Sequence, residues 1–69
     1  METIAITVNG EARTAPRGVT LAGLLAVLEL DPERLAVELD RSIVRRPDWP
    51  ATVIRDGARL EIVQFVGGE

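Results

Sequence analysis

Residues 4–10 have the sequence Ile4-Ala5-Ile6-Thr7-Val8-Asn9-Gly10, and this stretch decides the fold of the chain. Its large apolar residues recur at every second position, which is the period of a half-buried β-strand. The Asn-Gly pair that follows tolerates the positive φ values of a type I′ turn. We therefore predict a β-hairpin in which residues 11–15 run antiparallel to the first strand.

A leucine-rich segment follows the hairpin and has the spacing of an amphipathic helix. The leucines that share one helical face are Leu21, Leu24, Leu25 and Leu28. Thr20 is the natural N-cap, because its hydroxyl can accept a hydrogen bond from an N–H of the first turn. A helix of about ten residues is predicted to end near Leu30, because Asp31 precedes Pro32 and the residue before a proline disfavours helical backbone angles.

The next part of the chain has the signals of short extended segments. Residues 35–39 resemble a strand, residues 40–42 a tight turn, and Ile43-Val44 a short extended pair. The prolines of Pro47-Asp48-Trp49-Pro50 cannot donate to a sheet ladder, so this segment is predicted to be a loop. Trp49 is predicted to cover one edge of the core from this loop, with stacking on a ligand as the alternative.

A last strand is predicted at residues 59–65, after a turn at Asp56-Gly57. Its side chains alternate between two faces, with Leu60 and Ile62 on one and Glu61, Val63 and Phe65 on the other. A hairpin, a helix and further short strands indicate an α+β domain. Parallel pairing of the first and last strands through a right-handed crossover would give a β-grasp (ubiquitin-like) fold, a mixed sheet with one main helix packed across one face.

Composition limits the functions to consider. With 69 residues the chain has room for one small domain, and it contains neither Cys nor His. The usual ligands of zinc, copper and iron are therefore absent, so no metal site is predicted. His is the side chain most often used as a general acid or base, and Cys is the most nucleophilic side chain at neutral pH. Because both are absent, catalysis by this chain alone is not expected.

Charge and hydropathy bear on partners and location. The net charge is −3 and the eight basic residues are scattered, so we expect no nucleic-acid binding, which depends on clustered positive charge. The start of the chain lacks a signal peptide pattern, and no segment approaches the roughly 20 apolar residues of a membrane span. We therefore expect a cytoplasmic protein that makes no membrane contact.

The C-terminal sequence is Phe65-Val66-Gly67-Gly68-Glu69. We predict that residues 1–66 form the folded domain and residues 67–69 a flexible tail. Because glycine has no Cβ, a Gly-Gly segment can run extended through a slot too narrow for other side chains. A carboxylate on Gly68 would be accessible in such a slot, but Glu69 follows it.

Four parts of the sequence, taken together, match the pattern of one known family. They are Val8-Asn9-Gly10, Val19-Thr20-Leu21 at the start of the leucine-rich helix, residues 35–46 followed by Trp49, and residues 56–63 leading to Gly67-Gly68. Through them residues 4–68 resemble the sulfur carrier proteins of thiamine biosynthesis, the ThiS family, which belong to the ubiquitin-like β-grasp proteins.

The resemblance implies a covalent carrier that is a substrate of partner enzymes and not itself an enzyme. In this family an E1-like adenylyltransferase uses ATP and magnesium to adenylate the terminal glycine carboxylate. A persulfide protein then supplies sulfur, the carboxylate becomes a thiocarboxylate, and thiazole synthase receives the sulfur. The chain itself would bind no cofactor, because ATP and magnesium belong to the partner.

The resemblance also assigns residues. Gly68 would carry the sulfur, and Gly67 would let the tail thread through the partner's active-site channel. Val63, Phe65 and Val66 are the candidates for partner docking because they lie beside the tail. The alternative for these three is burial beneath another part of this chain.

Glu69 departs from the family pattern, which ends at the second glycine. Three explanations are open: a protease removes Glu69, the residue is an artefact or an engineered block, or this chain carries no sulfur. If Glu69 remained, its side chain would clash in a channel that fits only glycine. Activation would then be expected to fail.

Other functions remain open, because one fold serves several functions. A related carrier could supply sulfur for molybdopterin, cysteine or a thiolated tRNA base. A β-grasp protein-binding module would not need its terminal glycines, and a ubiquitin-like modifier would attach through Gly68 to lysines. An independent enzyme is the weakest alternative, because the aspartates in the predicted turns are expected to form local backbone hydrogen bonds. Those aspartates are Asp31, Asp40, Asp48 and Asp56.

Overall fold

The N-terminal hairpin forms as the sequence predicts. The computed structural model describes residues 2–65, so Val66 and the predicted tail at residues 67–69 lie outside the described residues. Strand β1 (Thr3–Val8) pairs antiparallel with strand β2 (Glu11–Pro16). Asn9 and Gly10 join them with φ values of 51° and 82°, so both turn residues have the left-handed backbone of a type I′ turn.

One α-helix, α1 (Leu21–Val27), follows the hairpin. The predicted cap is confirmed, because the Thr20 hydroxyl accepts a 3.1 Å hydrogen bond from the Gly23 N–H. The predicted end near Leu30 is wrong, since the chain leaves the helix after Val27. Glu29 has a φ of 59°, its N–H binds the Ala26 carbonyl, and the Leu30 N–H binds the Leu25 carbonyl. This is a Schellman ending with glutamate at the position where glycine is usual.

The second half of the sheet begins with strand β3 (Leu35–Leu39), which pairs antiparallel with strand β4 (Ser42–Val44). Asp40 and Arg41 form the turn between them, with φ values of 50° and 74°. The predicted three-residue turn is therefore one residue too long, because Ser42 already pairs with Leu39. Strand β5 (Arg59–Gln64) ends one residue earlier than predicted.

The five strands form one mixed sheet in the order β2-β1-β5-β3-β4. Strand β5 runs parallel to β1 and antiparallel to β3, so the first and last strands meet at the centre as predicted. Helix α1 contributes Leu21, Leu24 and Leu25 to the core on one face of the sheet. The predicted α+β architecture, a mixed sheet with one main helix across one face, is confirmed. The core also contains Ile4, Ile6, Val8, Ala15, Val37, Trp49, Ile54, Ala58 and Leu60.

The proline-containing segment lies outside the sheet, as expected, but it is a 3-10 helix, Arg46–Ala51, and not the predicted loop. Trp49 in this segment is only 4% exposed, and its indole N–H donates a 2.9 Å hydrogen bond to the Val44 carbonyl. The indole is therefore a packing anchor, as predicted, and its ring is not available for stacking on a ligand. No helix within residues 2–65 is long and apolar enough to cross a membrane.

Three of the four turn aspartates bind the backbone through their carboxylates, two of them at long range, whereas the Asp48 carboxylate has no hydrogen bond within residues 2–65. Asp31 accepts a hydrogen bond from the nearby Glu33 N–H, as expected for a local turn. Asp40, in contrast, accepts from the Arg59 N–H at 2.9 Å, and Asp56 from the Ala5 N–H at 2.8 Å. These two carboxylates connect a turn to a distant strand, so the expectation of purely local bonding is wrong for them.

Candidate functional site

Strand β5 has one face in the core and one face in solvent. Leu60 is fully buried and Ile62 is half-buried beneath α1, because alternate side chains of a strand point to opposite faces. On the other face Val63 is 57% exposed and Phe65, just beyond the strand, is 55% exposed. The structure thus brings two of the predicted docking residues together on the face opposite α1, where Phe65 lies beside Glu33 and Arg34 of the short 3-10 helix Pro32–Arg34. Residues 2–65 do not cover either of them.

Two neighbouring strands extend this apolar surface. Ala36 on β3 lies directly opposite Val63 and is exposed. Ile43 on β4 is 77% exposed and lies opposite Glu38, which places it on the same face. We call Ala36, Ile43, Val63 and Phe65 the apolar patch. Ala36 and Ile43 were not among the docking residues predicted from the sequence, because only the strand register shows that they share a face with Val63.

The other half of the open face is charged. Glu38 and Glu61 lie directly opposite each other on β3 and β5. Arg41 and Arg59 line the same shallow depression, together with Thr7 and Gly10. Directly opposed like charges weaken a sheet slightly, and here two arginines lie in the same depression as the two glutamates. On β5 itself the open face is therefore charged at Arg59 and Glu61 and apolar at Val63, while Ile43 on β4 lies in the same row as Glu38 and Glu61.

The point where the chain leaves the sheet is held on both sides. On the β3 side, the Phe65 N–H donates a 2.8 Å hydrogen bond to the Arg34 carbonyl. On the β1 side, the Asn9 carboxamide donates to the Ile62 carbonyl at 3.1 Å and accepts from the Ile62 N–H at 2.7 Å. Hydrogen bonds to both neighbouring elements thus fix the backbone at Ile62 in β5 and at Phe65 just beyond it, on either side of Val63 in the apolar patch.

The remaining predicted site residues, Val66, Gly67 and Gly68, lie outside the part of the chain that the structure describes. Within residues 2–65 no group of three or more His, Cys, Asp or Glu side chains is placed to hold a metal ion. In that part of the chain, the candidate site is therefore an exposed surface at the end of a central strand. Such a surface suits contact with another protein.

These features define a class: the chain is a ubiquitin-like β-grasp protein with an apolar patch beside the end of its last strand. The model of the ThiS family matches residues 6–68. A crystal structure of the thiamine biosynthesis protein ThiS from Geobacter metallireducens superposes with a TM-score of 0.82 at 30% identity, covering 96% of this chain and all of that one. The chain belongs to the ThiS family.

Curated relatives fall into two groups. A thiazole synthase of Magnetococcus marinus is 41% identical over 63 residues, and one of Paramagnetospirillum magneticum is 36% identical over 63 residues. Each match covers 91% of this chain but only 19% of the relative, so the chain spans about a fifth of their length. The uncharacterized protein ycf40 of Pyropia yezoensis is 34% identical, and the match covers 94% of this chain and 92% of that protein.

Proposed function

We propose that this chain is a sulfur carrier of thiamine biosynthesis whose Gly68 carboxylate is adenylated and then converted to a thiocarboxylate. A carboxylate is a poor electrophile because it is negatively charged and has a poor leaving group. Attack of its oxygen on the α-phosphorus of ATP releases pyrophosphate and gives an acyl-adenylate, from which AMP leaves readily. Dividing one difficult step into two easier ones is the general advantage of a covalent intermediate.

Sulfur enters at the second step. A persulfide sulfur of the donor protein attacks the acyl carbon and displaces AMP, and a thiol then cleaves the S–S bond to release the thiocarboxylate. The carrier supplies only the acyl group and a docking surface, so its own side chains need no acid-base or nucleophilic role. The sequence accordingly contains neither His nor Cys.

The observation that carries the proposal is the position of the two glycines relative to a β-grasp last strand. The family match extends through residue 68, so it includes both Gly67 and Gly68. Strand β5 ends at Gln64, which leaves three residues between the strand and Gly68. A glycine pair this close to a rigid sheet can be presented to an enzyme while the domain docks nearby.

Thiazole synthase is the proposed sulfur acceptor. Two relatives with that name contain a segment like this chain within a polypeptide about five times as long. A carrier and an acceptor joined in one polypeptide would meet at high effective concentration, which is useful only if they act on each other. These relatives favour thiazole formation over the other sulfur products.

The apolar patch is the proposed docking surface for the E1-like adenylyltransferase. Val63 and Phe65 lie on the open face, opposite α1, and Ala36 and Ile43 enlarge that surface. Val66 is included in the proposal from the sequence alone. A partner with a complementary apolar surface would bury this patch while the tail reaches its active site.

The proposal requires a free carboxylate on Gly68, so Glu69 must first be removed by a protease. Two forms of the chain test this, one ending at Gly68 and one ending at Glu69. Each is incubated with the adenylyltransferase, ATP, magnesium, the persulfide donor and a thiol reductant, and pyrophosphate release and intact mass are measured. We expect the form ending at Gly68 to release pyrophosphate and to gain one oxygen-to-sulfur exchange, and the form ending at Glu69 to do neither.

A Gly68→Ala variant of the shorter form is the matched control, because it retains a terminal carboxylate on a residue with a side chain. Absence of any adenylation of the form ending at Gly68 would overturn the proposal. A chain that binds the partner without being adenylated would instead indicate a protein-binding module. Covalent adducts on lysines of other proteins would indicate a modifier.

A further inference from the structure

The Asn9 side chain makes two hydrogen bonds that its turn does not need. Its Nδ2 donates to the Ile62 carbonyl at 3.1 Å, and its Oδ1 accepts from the Ile62 N–H at 2.7 Å. The type I′ turn requires only a residue that tolerates a φ of 51°, a property that Asn shares with Asp and Gly. The carboxamide therefore has a second role, which is to bind the backbone of Ile62, 53 positions away in the sequence.

The two bonds take the place of the next backbone pairing between β1 and β5. Parallel pairing between these strands covers only Thr7 with Arg59 and Val8 with Leu60. The Asn9 N–H binds the Leu60 carbonyl at 2.8 Å, and beyond it the chain turns into β2. Strand β1 ends at Val8, so its pairing with β5 does not extend to Ile62. A carboxamide has both a donor and an acceptor, so it satisfies the Ile62 N–H and C=O together.

The end of β5 is thus held on the β1 side by one side chain. On the β3 side it is held by backbone pairing of Val63 with Ala36 and by the bond from Phe65 to the Arg34 carbonyl. We propose that Asn9 is a positioning residue, whose carboxamide fixes where the chain leaves the sheet and thereby presents the terminal glycine for activation. This inference rests on the proposed carrier function.

Two substitutions separate this role from the turn. Asn9→Gly retains the turn conformation and removes both bonds to Ile62. Asn9→Asp also suits the turn, but at neutral pH its carboxylate has no proton to donate and one oxygen faces the Ile62 carbonyl. When protonated, the carboxyl group can donate and accept as the carboxamide does. Arg13 and Glu29 line the same depression as Asn9, so their opposite charges also act on the introduced carboxyl group. Because only the protonated form can make both bonds to Ile62, the defect should disappear at a pH low enough to protonate that group.

The test combines amide hydrogen exchange at Ile62 with adenylation kinetics, both on the chain ending at Gly68. We expect Asn9→Gly to lower Ile62 protection and the kcat of adenylation, each by about tenfold, because small displacements of a reacting group are costly. Thr20→Ala is the control, since it removes the capping bond to the Gly23 N–H at the start of α1, at a cost of about 1 kcal/mol in stability. Once the change in global stability, measured by urea unfolding, is subtracted for each variant, Thr20→Ala should change Ile62 protection and adenylation less than about twofold.

Asn9→Asp adds a readout that a purely structural role in the turn would not change. Its Ile62 protection, relative to wild type, should rise as the pH is lowered. Wild-type exchange and wild-type adenylation in Asn9→Gly would overturn the inference and leave the proposed function intact, as would a pH-independent Asn9→Asp variant. If the wild-type chain is not adenylated, the proposed function fails, and exchange at Ile62 still decides whether Asn9 holds β5.

Discussion

The docking proposal makes a quantitative prediction for Val63 and Phe65. Replacing each by serine removes apolar surface that a partner would bury. Fully burying such side chains contributes about 1.5–3 kcal/mol, so the 57% exposed fraction of Val63 corresponds to about 1 kcal/mol and the 55% fraction of Phe65 to about 1.5 kcal/mol. If docking buries both, the double variant should bind with a Kd roughly 60-fold higher, since about 1.4 kcal/mol is a factor of ten.

Val27→Ser provides a matched control. Val27 is 62% exposed, close to the value for Val63, but it is the last residue of α1 and lies on the helix side of the sheet. The same chemical change at a similar exposure should leave the Kd for the adenylyltransferase within about twofold of wild type, because that side chain lies outside the proposed interface.

Titration calorimetry of each variant with the adenylyltransferase measures the Kd, and urea unfolding measures stability in parallel. Both positions are more than half exposed, so each serine variant should stay folded under the binding conditions. Equal affinity of the double variant and wild type would refute the docking argument. An equal loss of affinity in Val27→Ser would also refute it, because the effect of the substitutions would then not depend on which face of the sheet they lie on.

Three further predictions concern the tail, the helix end and a turn. Gly67→Ala should leave the urea midpoint unchanged and lower adenylation at least tenfold, because a Cβ enters a channel that fits only glycine; unchanged pyrophosphate release would contradict this. Glu29→Gly should raise the free energy of unfolding by about 0.5–1 kcal/mol, because a φ of 59° suits glycine; a lower urea midpoint would contradict this. Asp56→Ala should lower it by about 1 kcal/mol through loss of the bond to the Ala5 N–H, whereas Asp48→Ala, whose carboxylate has no hydrogen bond within residues 2–65, should have little effect.

Local sequence signals predicted the elements of the fold well. Asn9-Gly10 determined the first turn, and the leucine spacing determined which face of α1 is buried. The end of α1 was misplaced because the only marked stop signal was the proline at position 32. The chain instead turns at Glu29, a residue whose type gives no warning of a left-handed backbone.

The candidate site was predicted in part. Alternation along β5 was enough to place Val63 and Phe65 on a face opposite the core residue Leu60. Ala36 and Ile43 could not be predicted as part of the apolar patch, because their position depends on the register in which β3 pairs with β5 and β4 pairs with β3. Strand register is set by long-range pairing, and a shift by one residue would have placed both side chains on the other face.

The two faces of this sheet are under different physical constraints. A small domain has little surplus stability, and the large buried side chains here lie between the sheet and α1 or its flanking segments. The open face contributes little to that core, so its residues can serve a partner without unfolding the domain. Strand β5 connects the two functions, because Leu60 belongs to the core and Val63 to the apolar patch. Substitutions at Leu60 and Ile62 should therefore change the stability, and a substitution at Val63 the affinity for the partner.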